Sequence, residues 1–142
     1  MKTVKQILDE KGGEVWSVAP GDSVYRTIEL MAEREVGALL VVDEGTLVGI
    51  VSERDYARKV ILQGRSSRDT PVSEIMTERV VYARPEQPVD ECMALMTDKR
   101  IRHLPVMDGD ELAGMISIGD LVKAIIAEQQ FMISQLEQYI SS

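Results

Sequence analysis

Ser52-Glu53-Arg54-Asp55 and Ser117-Ile118-Gly119-Asp120 each place a hydroxyl three residues before a carboxylate. A carboxylate presents two acceptor oxygens, a geometry suited to the vicinal hydroxyls of a ribose, so Asp55 and Asp120 are candidate sugar contacts. A serine where a strand turns into a helix can add its hydroxyl to the free amides of the first turn and meet a phosphate, the role open to Ser52 and Ser117. The same Ser-x-x-Asp spacing is also a helix capping box, in which the serine accepts from an orphan amide and the acid reaches back. Both readings fit either copy. A phosphate bound by an acidic chain needs local cations, and Arg54, Arg102 and His103 are the candidates. Gly49 and Gly114, three residues ahead of the serines, would let a strand backbone approach a flat base, or serve a turn or packing. Cys92 has no suggested His, Asn or Asp partner and reads as core filler. Trp16 reads as partly buried, with stacking on a base as the alternative.

These residues recur because the chain repeats itself. Sliding it by 65 positions sets residues 15–61 on residues 80–126 without a gap. Val24, Ile28 and Met31 fall at i, i+4 and i+7, and their counterparts Val89, Met93 and Met96 repeat the stripe, which predicts one buried helical face in each copy. Ser23 suits the N-cap of the first of these helices. Apolar runs at 39–42 and 47–51 around Asp43-Glu44-Gly45 read as a buried hairpin, repeated at 104–107 and 112–116 around Asp108-Gly109-Asp110. Tyr56 and Val60 match Leu121 and Ile125 as inward positions of the helix after each serine. Thr3 and Gln6 form a capping box opening a short helix that Gly12-Gly13 stops, and residues 72–76 echo residues 4–8 at an offset of 68. The small, polar stretch 63–71 is a linker between the copies. Each copy thus reads helix, strand, helix, strand, strand, helix, a mixed α/β (α+β) class.

A chain of 142 residues can bury a sizeable core, whereas each half alone would be marginal, so the halves should pack face to face. The net charge of −8 argues against nucleic acid and an acidic membrane surface as partners, since both need clustered Lys and Arg. No apolar run approaches the roughly 20 residues of a membrane span and no secretory leader opens the chain, which predicts a cytoplasmic protein. One Cys and one His are too few for an internal disulfide or a self-contained metal site.

A unit of this element order, occurring in tandem with Gly-apolar-apolar-Ser-x-x-Asp where the last strand meets the last helix, closely resembles the CBS domain. The pair resembles a Bateman module of the stand-alone bacterial or archaeal type. The phrase Arg102-His103-Leu104-Pro105-Val106 belongs to the same likeness, which covers nearly the whole chain. It implies CBS domains at 1–68 and 69–127, a helical tail at 128–142, and a pseudo-two-fold unit with two clefts that bind adenosyl compounds such as AMP, ADP, ATP, S-adenosylmethionine or NAD. Carried over by position, the ribose falls to Asp55 and Asp120, and phosphates fall to Ser52, Ser117 and the basic residues. The resemblance sets Arg102 and His103 near the Asp55 site, with Arg54 serving the Asp120 site in return. Backbone groups reading the adenine edge fall within 15–18 and 80–83, including Val18 and Ala83, and at Ala38 and Leu39. Gly37-Ala38 stands where the second copy has Arg102-His103, and Gly119 replaces Arg54, so the two clefts cannot be chemically equal.

The function expected from this is a sensor, not an enzyme. Adenine nucleotides or NAD(H) would bind the clefts of a homodimer and alter an unidentified regulated protein. The alternative is a ligand-free interaction scaffold in which Ser-x-x-Asp only caps helices. An enzyme is the weakest reading, because no catalytic pair, triad or metal cluster emerges from the spacing. After Asp120 the helical pattern continues through Leu121, Ile125, Met132, Leu136 and Tyr139 or Ile140 with no Gly or Pro, and this segment is expected to pack on a second copy.

Overall fold

The computed structural model describes residues 2–141. In chain order the elements are α1 (Val4–Lys11), β1 (Ser17–Val18), α2 (Val24–Arg34), β2 (Ala38–Asp43), β3 (Thr46–Ser52) and α3 (Glu53–Tyr56), which runs into a π-helical turn (Ala57–Ile61). A 3-10 turn (Val72–Glu74), α4 (Val89–Lys99), β4 (His103–Asp108), β5 (Glu111–Ser117) and α5 (Ile118–Ser141) follow. The class is α+β, with one three-stranded and one two-stranded sheet.

Two compact units form, and they differ from the sequence repeats. The central unit is Val15–Val80, whereas the composite unit joins the segment ending at Glu14 to the one starting at Val81. The reason lies in where the leading segment of each repeat finds hydrogen-bond partners. In the composite unit the Val89 amide, an orphan donor at the start of α4, donates to Lys2 O at 3.0 Å, and Val4 N donates to Gln87 O at 2.9 Å. The central unit repeats this bond for bond, with Val24 N to Thr70 O at 2.9 Å and Val72 N to Asp22 O at 2.8 Å. Each leading segment therefore closes the helix start of the other repeat. Side chains follow: Val4 and Ile7 join a core with Val89, Met96, Leu104 and Leu121, while Val72 and Ile75 join one with Val24, Met31, Leu39 and Val60.

The two hairpins share one register. Ala38 faces Ser52 and Val41 faces Gly49, with a bulge after Val41; His103 faces Ser117 and Val106 faces Gly114, with a bulge after Val106. The first strand differs between the copies. In the central unit β1 runs parallel to β2, helped by Leu40 N donating to Trp16 O at 3.3 Å. In the composite unit Pro105 occupies the position of Leu40 and has no N–H, so the ladder shrinks to a single parallel bridge between Ala83 and Val106.

The paired glycines serve packing. A Cβ on Gly114 would lie 2.8 Å from Leu8 Cδ2, and one on Gly49 would lie 2.6 Å from Met76 Sδ and 3.1 Å from Thr77 O. Leu8 and Met76 are equivalent residues of the two leading segments, so each glycine is the floor on which the exchanged segment sits. Gly114→Ala should cost about 1–3 kcal/mol by overpacking. In a Leu8→Ala background that cost should fall below about 0.5 kcal/mol, read by urea denaturation as a double-mutant cycle. An undiminished cost in that background would place the obstruction elsewhere.

No helix among the described residues is long and apolar enough to cross a membrane.

Candidate functional site

Both serines cap helices. Ser52 Oγ accepts from Asp55 N at 3.2 Å while Ser52 N and Oγ donate to Asp55 Oδ2 at 2.9 and 3.1 Å. At the start of α5, Ser117 Oγ accepts from Asp120 N at 3.2 Å and Ser117 N donates to Asp120 Oδ2 at 2.8 Å. The aspartates are thus held in fixed orientations, each still partly open at 17 and 21% side-chain exposure.

A lysine sits on each carboxylate, reached by a different route. Lys59 Nζ lies 3.0 Å from Asp55 Oδ1, one helical turn along the same segment, and also donates to Ile75 O at 2.9 Å. Lys11 Nζ comes from α1 to lie 2.6 Å from Asp120 Oδ2 and 2.9 Å from Met115 O. Lys59 was within reach of sequence reasoning as an i,i+4 partner. Lys11, 109 residues from its acid, carries no such signal.

The two acids differ in what they have left to offer. A carboxylate has about four lone-pair sites. Asp55 has two bonds on Oδ2 and one on Oδ1, whereas both of those on Asp120 fall on Oδ2, so Asp120 Oδ1 carries no hydrogen bond among the described residues. Burial alone would raise the Asp120 pKa, but the Lys11 hydrogen bond and the Ser117 amide outweigh it and hold the carboxyl below its usual range. Asp120 is therefore an ionised acceptor at neutral pH.

Asp120 opens onto a groove of about 330 Å³ lined by Lys2, Glu10, Lys11 and Lys123, with Ile7 of α1 and two alanines of α5. In the central unit a second groove, of about 750 Å³, is lined by Ile28, Glu35, Gly37, Arg54, Tyr56 and neighbours. Gly37 and Arg54 are thus brought together, and Asp55 is not among that lining.

Arg102 and His103 stand beside the second serine. Ile118 N donates to Arg102 O at 2.8 Å, as Glu53 N does to Gly37 O at 3.0 Å in the other copy. Burial lowers the His103 pKa, as do the charges of Lys11 and Arg102, against the opposing pull of Asp120. The ring is neutral at neutral pH and can offer one N–H.

Val18, Ala38, Leu39 and Ala83 bury their side chains almost completely, leaving only backbone groups for any ligand. At Ala83 these are already in use, since its N–H donates to Pro105 O and its carbonyl accepts from Met107 N, both at 2.9 Å. Cys92 is fully buried, and that burial, with Glu91 and Asp90 adding to it, raises its thiol to about 11, an unreactive core group. Trp16 is half-buried with the Arg34 guanidinium 4.0 Å above its ring, so one face is covered by a cation–π contact.

Comparison with known proteins assigns the pattern. The chain is 42% identical over 148 residues to the mitochondrial CBS domain-containing protein CBSX3 of Arabidopsis thaliana, covering 97% of this chain and 71% of that one. A putative signal-transduction protein with CBS domains from Burkholderia ambifaria is similar in structure, with a TM-score of 0.87, 59% identity, and 90 and 96% of the two chains covered. The CBS domain pair of protein MJ0100, solved with 5′-methylthioadenosine and S-adenosyl-L-methionine, gives 0.80 at 26% identity, covering 90 and 98%. CBS domain matches fall on residues 4–61 and 72–127, and with both repeats so covered the chain belongs to the CBS domain family as a tandem pair.

Proposed function

We propose that this chain is a regulatory sensor that binds adenosyl nucleotides, AMP, ADP, ATP or NAD(H), and passes cellular energy or redox state to a partner protein, without catalysing a reaction. Asp55 and Asp120 accept from the ribose hydroxyls. Ser52, Ser117, Arg54, Arg102 and His103 meet phosphates, and backbone groups at Gly37, Ala38, Leu39 and Val18 border the base, with Ala83, whose N–H and carbonyl are both engaged, giving only van der Waals contact. The protein works in the cytoplasm as a homodimer assembled through its helical tail.

The observation that carries this reading is Asp120, an ionised carboxylate oriented by a capping box, with one oxygen that takes no hydrogen bond among the described residues, beside a groove lined by Lys2, Lys11 and Lys123 together with Glu10, the ion-pair partner of Lys2. Such a place suits a molecule with a diol at one end and negative charge at the other. The adenosyl ligands of the MJ0100 domain pair support the ligand class. A scaffold without ligand is the second reading, favoured by the lysines already seated on both acids.

Melting curves separate the two. A ligand at about 100 times its dissociation constant adds about 2.7 kcal/mol per site, enough to raise the midpoint by several degrees. AMP, ADP, ATP, NAD, S-adenosylmethionine and 5′-methylthioadenosine form the panel. A rise of several degrees with at least one is expected, and no rise with any of them would leave the scaffold.

A further inference from the structure

α5 continues well past the body it belongs to. Leu121 and Ala124 are its last fully buried residues, and every position from 129 to 141 is exposed. An isolated helix of that length is marginal in water, and the apolar side chains along its second half stay exposed. Two apolar stripes run along it. One continues the core-facing side through Leu121, Ile125, Met132 and Tyr139. The other lies about 100° around the axis and consists of Val122, Ile126, Gln129, Ile133, Leu136 and Ile140, whose apolar members are 42, 48, 54, 61 and 81% exposed.

The second stripe has alternating spacings of four and three, the 3.5-residue repeat of a coiled-coil seam. In heptad terms Ile126, Ile133 and Ile140 take the a positions, and Val122, Gln129 and Leu136 take d. Isoleucine holds every a and leucine one d, Leu136, the pairing that favours two parallel strands, while Val122 and Gln129 fill the other d positions and the single polar one fixes register at a cost in stability. The flanks agree. In a parallel pair the g and e residues that meet are Ile125 with Gln130 and Met132 with Glu137, so no like charges face each other. Residues 121–141 carry only Lys123, Glu128 and Glu137, so two copies of a −8 chain can meet here with little like-charge repulsion. A seam roughly 28 Å long on helices about 10 Å across covers roughly 300 Å² per copy in projection. With side-chain relief counted on both copies it approaches the lower bound of about 1,000 Å² for a specific interface. All six positions are then needed.

We infer that the C-terminal half of α5 forms a parallel two-stranded coiled coil with the same segment of a second copy, along Val122, Ile126, Gln129, Ile133, Leu136 and Ile140. This rests on the homodimer reading and names its contact, orientation and register.

Sedimentation of the full chain and its variants tests it. Ile133→Lys is expected to raise the dimer dissociation constant at least about 100-fold, taking the mass from twice 15.8 kDa to 15.8 kDa. Gln129→Leu should tighten the dimer. Phe131→Ser, 64% exposed but off the seam, should leave it unchanged. Leu136→Cys should form an intermolecular disulfide, because equivalent positions meet in a parallel pair, whereas in an antiparallel pair about the seam centre they sit roughly 15 Å apart, beyond disulfide reach. A dimer unaffected by both Ile133→Lys and Gln129→Leu, or one broken equally by Phe131→Ser, overturns the seam and leaves the homodimer standing. Absence of a cross-link in the oxidised Leu136→Cys variant overturns the parallel orientation. A wild-type chain of single mass at every concentration removes both the seam and the homodimer, while the melting panel still decides ligand binding.

Discussion

Leu104→Ala should lower the stability of the protein by about 2–5 kcal/mol, a large share of the about 5–15 kcal/mol available to a domain of this kind. Leu104 is completely buried on β4, in the core that also holds Val4 and Ile7 of the exchanged leading segment and Leu121 of α5. Removing its isobutyl group leaves a gap in a core assembled from β4, the leading segment and α5, and strands and helices anchored by hydrogen bonds cannot fully collapse into it. Leu39, its counterpart in the central unit and equally buried, should cost a similar amount. Leu62→Ala, at a position 75% exposed, should stay within about 0.5 kcal/mol of the parent. Urea midpoints at constant slope measure all three. A Leu104→Ala cost under about 1 kcal/mol would mean that the composite core is loosely packed or wrongly assigned.

The second large effect concerns the aspartates, where stability and binding should part company. Asp55→Ala and Asp120→Ala each remove one half of a capping box, which costs about 1 kcal/mol. If the acids also hold a ribose, affinity for the adenosyl ligand falls about tenfold or more through loss of a charged hydrogen bond. The loss should be larger for Asp120, whose Oδ1 is open, than for Asp55, which has Lys59 on Oδ1 and two serine donors on Oδ2. Calorimetric titration of each variant, beside its melting midpoint, separates the roles. Equal stability losses with unchanged affinity would reduce both acids to caps.

Local chemistry was legible before the structure, and partners across the chain were not. The Thr3–Gln6 capping box, the Ser23 cap, the two hairpins and the unbroken final helix all follow from spacing and appear as expected. Val24, Met31, Val89 and Met96 are buried on the helical faces that their period indicates. Amphipathicity states that a face is covered without stating by what. That is why the duplicated leading segments were visible in the sequence while their exchange between repeats was not. Gly49 and Gly114 illustrate the same gap, since a glycine admits a base and a methionine or leucine side chain equally well, and Met76 and Leu8 are what lie above them. The reduction of the second copy's first strand to one bridge was in principle readable from Pro105, because a proline cannot donate to its neighbour. Lys11 was not readable at all, as its meeting with Asp120 depends on α1 joining the composite unit.

Recognition of the ribose diol by the two carboxylates is tested most directly by titrating the tightest adenosyl compound of the melting panel against its 2′,3′-dideoxy form. With the parent protein the diol-bearing compound is expected to bind about tenfold or more tightly. In Asp55→Ala/Asp120→Ala the ratio should approach one. Equal affinities with the parent protein, or an unchanged ratio in the double variant, would contradict the account.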